Sequence, residues 1–258
     1  MLSPAQKFML LRKKKTGYSP FDLPSTTYLD ARIGSSITIG TGVSQWTSQS
    51  GNVNYTEGTG SAQPAYTLTG LDGNPAVVFD GVNDRLIATR TCGVFTRIFL
   101  VKTAGIGFLF GSANVYLWTG NGSTFEVSRG AGLISGKNIA GGWLNNNKAK
   151  IVIWRFDGTH AGHQVLVNGI VKTATTNGGN NANPGTGTVS ATVGIMTRGV
   201  TGTGYLNGAL SYFRDFDFVL TQDQIDNEVK FILKNFLPTA LLNSSGLPIL
   251  DANQDLTY

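Results

Sequence analysis

The sequence predicts an all-β protein, a two-sheet antiparallel sandwich with a short N-terminal helix and a C-terminal closing helix. Three observations carry this. Thirty-four glycines in 258 residues are nearly twice the average share, while charged residues make up only 14%. Asn, Thr, Ser and Gly separate short apolar runs, as a sheet protein with many turns requires. Those runs have strand length and β-rich composition: Arg97 to Lys102 (RIFLVK), Lys150 to Phe156 (KIVIWRF), Gln164 to Val171 and Ala209 to Phe218. With 41% apolar residues the chain can bury a sizeable core, about 70–75% of its unfolded surface. No repeat of about 20–50 residues points to a solenoid or propeller.

The elements follow from local chemistry. In Leu71 to Leu86 (LDGNPAVVFDGVNDRL), Asn74-Pro75 closes a turn and Ala76 to Phe79 is a short apolar run. Asp80 to Asp84 make a second turn and Leu86 reopens an apolar segment, so the stretch reads strand, turn, strand. The inner faces of the sandwich are expected to hold Phe79, Leu86, Phe99, Ile153, Val167 and Phe216. Thr221 and Gln224 form a capping box ahead of Ile225, Val229, Ile232, Leu233 and Phe236 at helical spacing, and Pro238 ends that helix. Ser3 to Gln6 offers a second capping box with Pro4 at the first helical position, and Phe8 and Leu11 share a face. The Thr175 to Thr188 stretch (TTNGGNNANPGTGT) reads as a long exposed loop.

Several motifs add a resemblance. The wording of Leu71 to Leu86 resembles a signature of laminin-G-like jelly-roll domains, in the concanavalin A-like lectin and glucanase class. Tyr28 to Ala31 is similar to the family's opening strand, and Val43 to Trp46 followed by Ser50 to Asn52 to its Trp segment. Ser48 stands there in place of the usual Asp. Gln63 to Tyr66, Val165 to Gly169 and Tyr205 to Asn227 match further family segments in order, so the resemblance covers about 28 to 237. It implies a jelly roll, and a scaffold that binds more often than it catalyses. In such a family Trp46 is a core residue; Trp154, inside an apolar strand, is read the same way.

Charge divides the chain into a basic arm over 1–20, a jelly-roll domain over 21–237 and a tail over 238–258. Of the 20 basic residues, Lys7, Arg12, Lys13, Lys14 and Lys15 lie in the arm, which has no acid before residue 16; the remaining 15 balance the 15 acidic residues. The net charge of +5 therefore belongs to the arm, whose Phe8, Leu11 and Arg12 to Lys15 are expected to dock on an acidic protein surface. A solvated charged end is the bland alternative, and nucleic acid is not expected. The apolar stretch Phe8 to Leu11 is too short for a secretory leader, and no segment reaches membrane-spanning length. In the tail, Leu241, Leu242, Leu247, Ile249 and Leu250 are too apolar for solvent and are expected to dock on this domain or on a neighbour. Cys92 is the only cysteine, so no intrachain disulfide can form. Its absence tilts the setting toward a bacterial or viral one.

Catalysis lacks the residues it needs. Retaining glycoside hydrolysis requires two carboxylates roughly 5 Å apart, but Glu57, Glu126 and Glu228 are isolated in sequence. Glu228 is expected on the helix surface. Asp215 and Asp217 share a strand face and are read as a solvated edge. His160 and His163 stand in a loop with too few companions for catalytic zinc. Asp80, Asn83 and Asp84 crowd one turn and suit calcium, which the resemblance also implies, although the same residues build turns without a metal. Trp118 with Asn121, and Trp143 with Asn145, border Gly- and Asn-rich loops and are the candidate glycan platforms.

These readings point to a non-enzymatic structural or adhesion protein on a bacteriophage virion surface, such as a capsid decoration, head fibre or tail appendage. It would be homo-oligomeric and joined to other virion proteins through both ends. No cofactor is expected apart from the calcium just named. The alternative is an extracellular, soluble lectin-like protein that binds a cell-surface glycan.

Overall fold

A computed structural model of the chain describes residues 18–51, 53–112, 115–119, 122–128, 134–140, 146–173, 175–181, 184–198, 204–251 and 254–258. The predicted N-terminal helix, with Phe8, Leu11, Arg12, Lys13, Lys14 and Lys15, lies outside the described residues, as do Asn121, Trp143 and Asn145.

The first strands in chain order are β1 (Thr27–Asp30), β2 (Ile37–Ile39), β3 (Val43–Trp46), β4 (Tyr55–Thr56), β5 (Ala65–Leu71) and β6 (Asn74–Asp80). Next come β7 (Leu86–Cys92), β8 (Phe95–Thr103), β9 (Gly107–Gly111), β10 (Val115–Thr119), β11 (Gly122–Ser128) and β12 (Ile134–Ala140). The last are β13 (Lys150–Phe156), β14 (Gln164–Val167), β15 (Ile170–Val171), β16 (Thr175–Asn181), β17 (Val189–Ile195) and β18 (Asn207–Phe216), followed by helix α1 (Gln222–Phe236). The first sheet has eight strands in the order β15-β14-β13-β8-β18-β6-β5, with β1 also paired to β18. The second has ten, in the order β16-β12-β11-β10-β9-β17-β7-β4-β3-β2. Every named strand pairing is antiparallel, and the two sheets make the predicted jelly-roll sandwich. Thr175 to Asn181, expected as loop, form β16 on the edge of the ten-stranded sheet, paired with β12.

Two cores result. Between the sheets lie Phe79, Leu86, Phe99 and Val167 with Trp46, Trp154, Phe110 and Phe213. The outer face of the eight-stranded sheet packs against α1 through Ile98, Leu100, Tyr212, Ile225, Val229 and Phe236. Ile153 and Phe216 belong to this second core, not to the inter-sheet one predicted for them. The reason is that the eight-stranded sheet is covered on both faces. Its strands β8, β13 and β18 are buried almost end to end, and alternation no longer distinguishes their two sides.

Helix α1 starts where its capping box predicts. The Thr221 side chain accepts from the Gln224 amide, and the Gln224 side chain accepts from the Thr221 amide. Its Glu228, expected on the surface, is fully buried. It receives hydrogen bonds from Arg214, Tyr18 and Tyr212, the last at 2.7 Å. Burial pushes this carboxyl's pKa up, and three donors converging on its two oxygens oppose the shift.

The tail folds back on its own domain. Leu247 and Leu250 pack against the outer core and Leu256 is buried in it, while Leu241, Leu242 and Ile249 stay about half exposed. Short bridges join Leu242 to Pro248 and Leu250 to Leu256. Asp255 pairs with the buried Lys150 and with Lys148 at 2.9 Å, so the tail neutralises a cation that the sheet could not leave unpaired.

Phe79 lies at 0% exposure in the inter-sheet core. Truncating Phe79 to Ala should cost about 3–5 kcal/mol of unfolding free energy in a denaturant titration. A loss below about 1 kcal/mol would place that side chain outside the core.

Candidate functional site: an aromatic group on the ten-stranded sheet

Strand β10 alternates. Val115 and Leu117 enter the inter-sheet core, which turns Tyr116 and Trp118 to the outer face. On the neighbouring strand β9, Trp118 is registered with Phe108, after a register shift between Leu117 and Trp118. Phe108 becomes the base of an aromatic group. Its ring lies edge-on to Trp118 with centroids 4.6 Å apart, and edge-on to Tyr116 at 5.4 Å. Phe108 is buried beneath them, whereas Tyr116 and Trp118 are half-buried. Arg198, beyond the end of β17, sets its guanidinium 5.1 Å from the Tyr116 ring centre and 5.6 Å from that of Phe108.

Two glycines permit this packing. A Cβ on Gly111 would come within 3.1 Å of the Tyr116 Cβ. Gly204, at φ +68°, passes so close that a Cβ would lie 2.6 Å from the Phe108 ring and 2.9 Å from Trp118. Beside this group, β17 and β7 pair Ser190 with Thr91 and Thr192 with Thr89, and these side chains alternate away from core residues Ala88, Cys92 and Val193. The outer face therefore carries exposed ring edges, a guanidinium and a ladder of hydroxyls. Aromatic surface can stack on the apolar side of a pyranose, and the polar groups can take its hydroxyls.

Trp118 is the sequence-predicted platform residue that this group contains. Phe108, Tyr116 and Arg198 were not singled out from sequence. Tyr116 had a signal, since it stands two residues from Trp118 and must share its face; Phe108 and Arg198 arrive from other strands.

Asp80, Asn83 and Asp84 do come together, and the turn uses the two Asp carboxylates as acceptors. Asp80 Oδ1 accepts from the Val82 and Asn83 amides at 2.7 and 3.3 Å, and Asp84 Oδ2 accepts from the Asp80 amide at 2.9 Å. Asp84 is raised in pKa by its burial. Among the described residues no group of three or more His, Cys, Asp or Glu is placed to hold a metal ion.

Four of the carboxylates considered for hydrolysis, Glu57, Asp215, Asp217 and Glu228, are committed elsewhere, and the Glu126 side chain lies outside the described residues. Asp215, read as part of a solvated edge, is fully buried between Arg90 at 2.9 Å and Arg97 at 3.2 Å. Asp217 is exposed and bonds Arg90 at 2.9 Å and Thr26 at 2.6 Å. Glu57 is buried against Arg85, whose guanidinium, with the Thr59 amide, holds its carboxyl below the usual range against the cost of burial. Ser48, where the family usually has Asp, accepts the Tyr28 amide at 3.0 Å and serves the turn.

His163 is buried in the core rim. Trp154 Nε1 donates to its Nε2 at 2.9 Å, so Nδ1 carries the proton and donates to Ser135 Oγ, also at 2.9 Å. Ser135 Oγ lies 3.0 Å from His160 Nδ1. Burial, with Lys137 and His160 adding to it, holds His163 well below 6.5.

The sandwich, its inter-sheet core and its half-open outer face define a jelly-roll β-sandwich. No family model matches the chain, and no curated protein does. Solved structures of similar fold include the binding domain of Paraclostridial Mosquitocidal Protein 1, with a TM-score of 0.60 and 12% identity over 89% of this chain and 56% of that one. The binding domain of botulinum neurotoxin serotype D gives a TM-score of 0.55 and 12% identity over 88% and 55%. A structure of botulinum neurotoxin type C, which depends upon interaction with two ganglioside molecules to enter cells, gives 0.51 and 13% over 79% and 50%. The chain thus spans about half the length of these structures. No helix among the described residues is long and apolar enough to cross a membrane.

A histidine held neutral in the fold and free to protonate when unfolded favours folding above its unfolded pKa. The contribution of His163 to stability should therefore be lost as pH falls below about 6.5, before the depressed carboxyls of Glu57 and Asp255 titrate, while the raised carboxyl of Glu228 acts in the opposite sense. Urea midpoints measured from about pH 7.5 to 5 should show this slope, and His163→Gln should remove most of it. An unchanged slope in the variant would assign it to other groups.

Proposed function

We propose that the protein is a non-enzymatic binding module that recognises a cell-surface glycan through the outer face of its ten-stranded sheet. The observation that carries this reading is the half-buried Trp118 and Tyr116 pair seated on Phe108, with Arg198 alongside. The binding domains that share its fold, one of them in a toxin dependent on gangliosides, support the same class of role. The commitment of Asp215, Asp217, Glu57 and Glu228 to ion pairs supports a binder over a hydrolase.

The finer reading sets this module on a bacteriophage virion surface, as a homo-oligomer attached to other virion proteins. Leu241, Leu242 and Ile249 favour it, because the folded tail leaves them on the surface. The basic arm would be the second contact. A free extracellular lectin is the contrasting reading, and it needs neither of these surfaces.

A glycan array probed with the isolated protein should show binding. Trp118→Ala should weaken that binding about tenfold or more while leaving the unfolding midpoint nearly unchanged. Equal affinity in the variant would discard the platform, and turnover of a polysaccharide would discard the non-enzymatic reading. Serine at Leu241, Leu242 and Ile249 should leave glycan binding intact and abolish incorporation into particles; normal incorporation would favour the free lectin.

A further inference from the structure

The other sheet carries a cavity of about 600 Å³, within the range of small-molecule sites. Three pieces of chain wall it: Asp72 and Gly73 in the β5–β6 turn, Leu237 to Thr239 beyond α1, and Tyr258. A smaller lobe of about 190 Å³ shares Asp72 and Tyr258 and adds Asn147 and Lys148.

The walls are fixed before any ligand arrives. Asp72 and Gly73 both have left-handed backbone, at φ +48° and +86°. Asn74 holds that turn in place, since its side-chain amide donates to Leu71 O and to Phe236 O at the helix end. Tyr258 is positioned by its neighbour Thr257, whose carbonyl accepts from the Leu241 amide at 2.8 Å and whose amide donates to Ile249 O at 3.1 Å. Leu256 is buried and Asp255 is paired with Lys150, so this wall cannot swing freely.

The chemistry of the lining selects a class of ligand. Asp72 is the acid in the wall, and Lys102 Nζ already neutralises it with a bond to Oδ1 at 3.0 Å. A strongly charged ligand would gain little net attraction here. Tyr258 offers a ring that is 55% exposed, and burial, followed by Asp72 and Asp255, pushes its hydroxyl up to about 12, so it remains a donor. Pro238 adds an apolar surface, and Thr239 and Asp72 add a hydroxyl and a carboxylate. An aromatic face combined with hydroxyl partners and a carboxylate already paired with Lys102 suits a neutral polyhydroxylated ring.

We propose that this cavity is a second carbohydrate site, for a single neutral sugar unit, built from the β5–β6 turn, the end of α1 and the tail. It uses none of the residues of the Trp118 group, so either site can fail without the other.

The test is a titration of the full chain with free glucose, galactose, mannose and N-acetylglucosamine, followed by amide shifts in ¹H–¹⁵N spectra. At least one sugar should give saturating shifts at Gly73, Asn74 and Thr239, both in the wild type and in Trp118→Ala. Asp72→Asn keeps a residue that tolerates left-handed backbone, and Tyr258→Ala removes an exposed ring. Each should weaken the sugar's binding about tenfold. Absence of saturating shifts with all four sugars would overturn the proposal. So would shifts that survive both cavity variants, or shifts lost in Trp118→Ala.

Discussion

Strand β18 carries two opposite charges side by side in a sheet that is covered on both faces. Arg214 points to the helix side and Asp215 to the inter-sheet side, and both are fully buried. A buried charge without a partner is costly, so each must find one across its own interface. Arg214 reaches Glu228 on α1 and donates to the Pro20 and Leu23 carbonyls at 2.6 and 2.8 Å. Asp215 reaches Arg90 on β7 of the other sheet, and Arg97 on β8. One dipeptide therefore ties the second sheet, the closing helix and the segment around residue 20 to the same strand. Arg97 is held further by the faces of Phe95 and Phe110, at 3.9 and 4.3 Å.

This interior use of charge shapes what the surface can do. Asp215 and Glu228 are spent on holding layers together, and Asp255 does the same for the tail through Lys150. What the described residues place on the outer face of the ten-stranded sheet is the aromatic group, the hydroxyl ladder and the Arg198 guanidinium. The cavity beyond α1 follows from the same arrangement, because the tail that covers Lys150 also delivers Tyr258 beside the β5–β6 turn.

Much of the fold was legible where local chemistry decides it. The turn residues of Leu71 to Leu86 gave β6 and β7, the capping box gave the start of α1, and Trp46 and Trp154 were readable as core. The sidedness of Ile153 and Phe216 was not readable, since strands buried on both faces lose the alternation that tells inside from outside. Glu228 and Asp215 looked like surface acids because their partners come from other layers; Arg90 and Asp215 are 125 positions apart. β16 was hidden by a composition poor in β-formers, and its pairing with β12 comes from the edge it extends. Trp118 was legible from its polar surroundings, whereas Phe108 and Arg198 join it only through the sheet register.

Strand β18 binds three layers through buried charge, and unfolding in denaturant tests that directly. Asp215→Asn and Glu228→Gln keep shape and remove one charge each, leaving an arginine buried without its full partner. Each is expected to cost about 3–5 kcal/mol. The two losses should add in the double variant to within roughly 0.5 kcal/mol, because the pairs lie on opposite faces and share no partner. Losses below about 1 kcal/mol in both single variants would contradict the claim that these pairs hold the layers together.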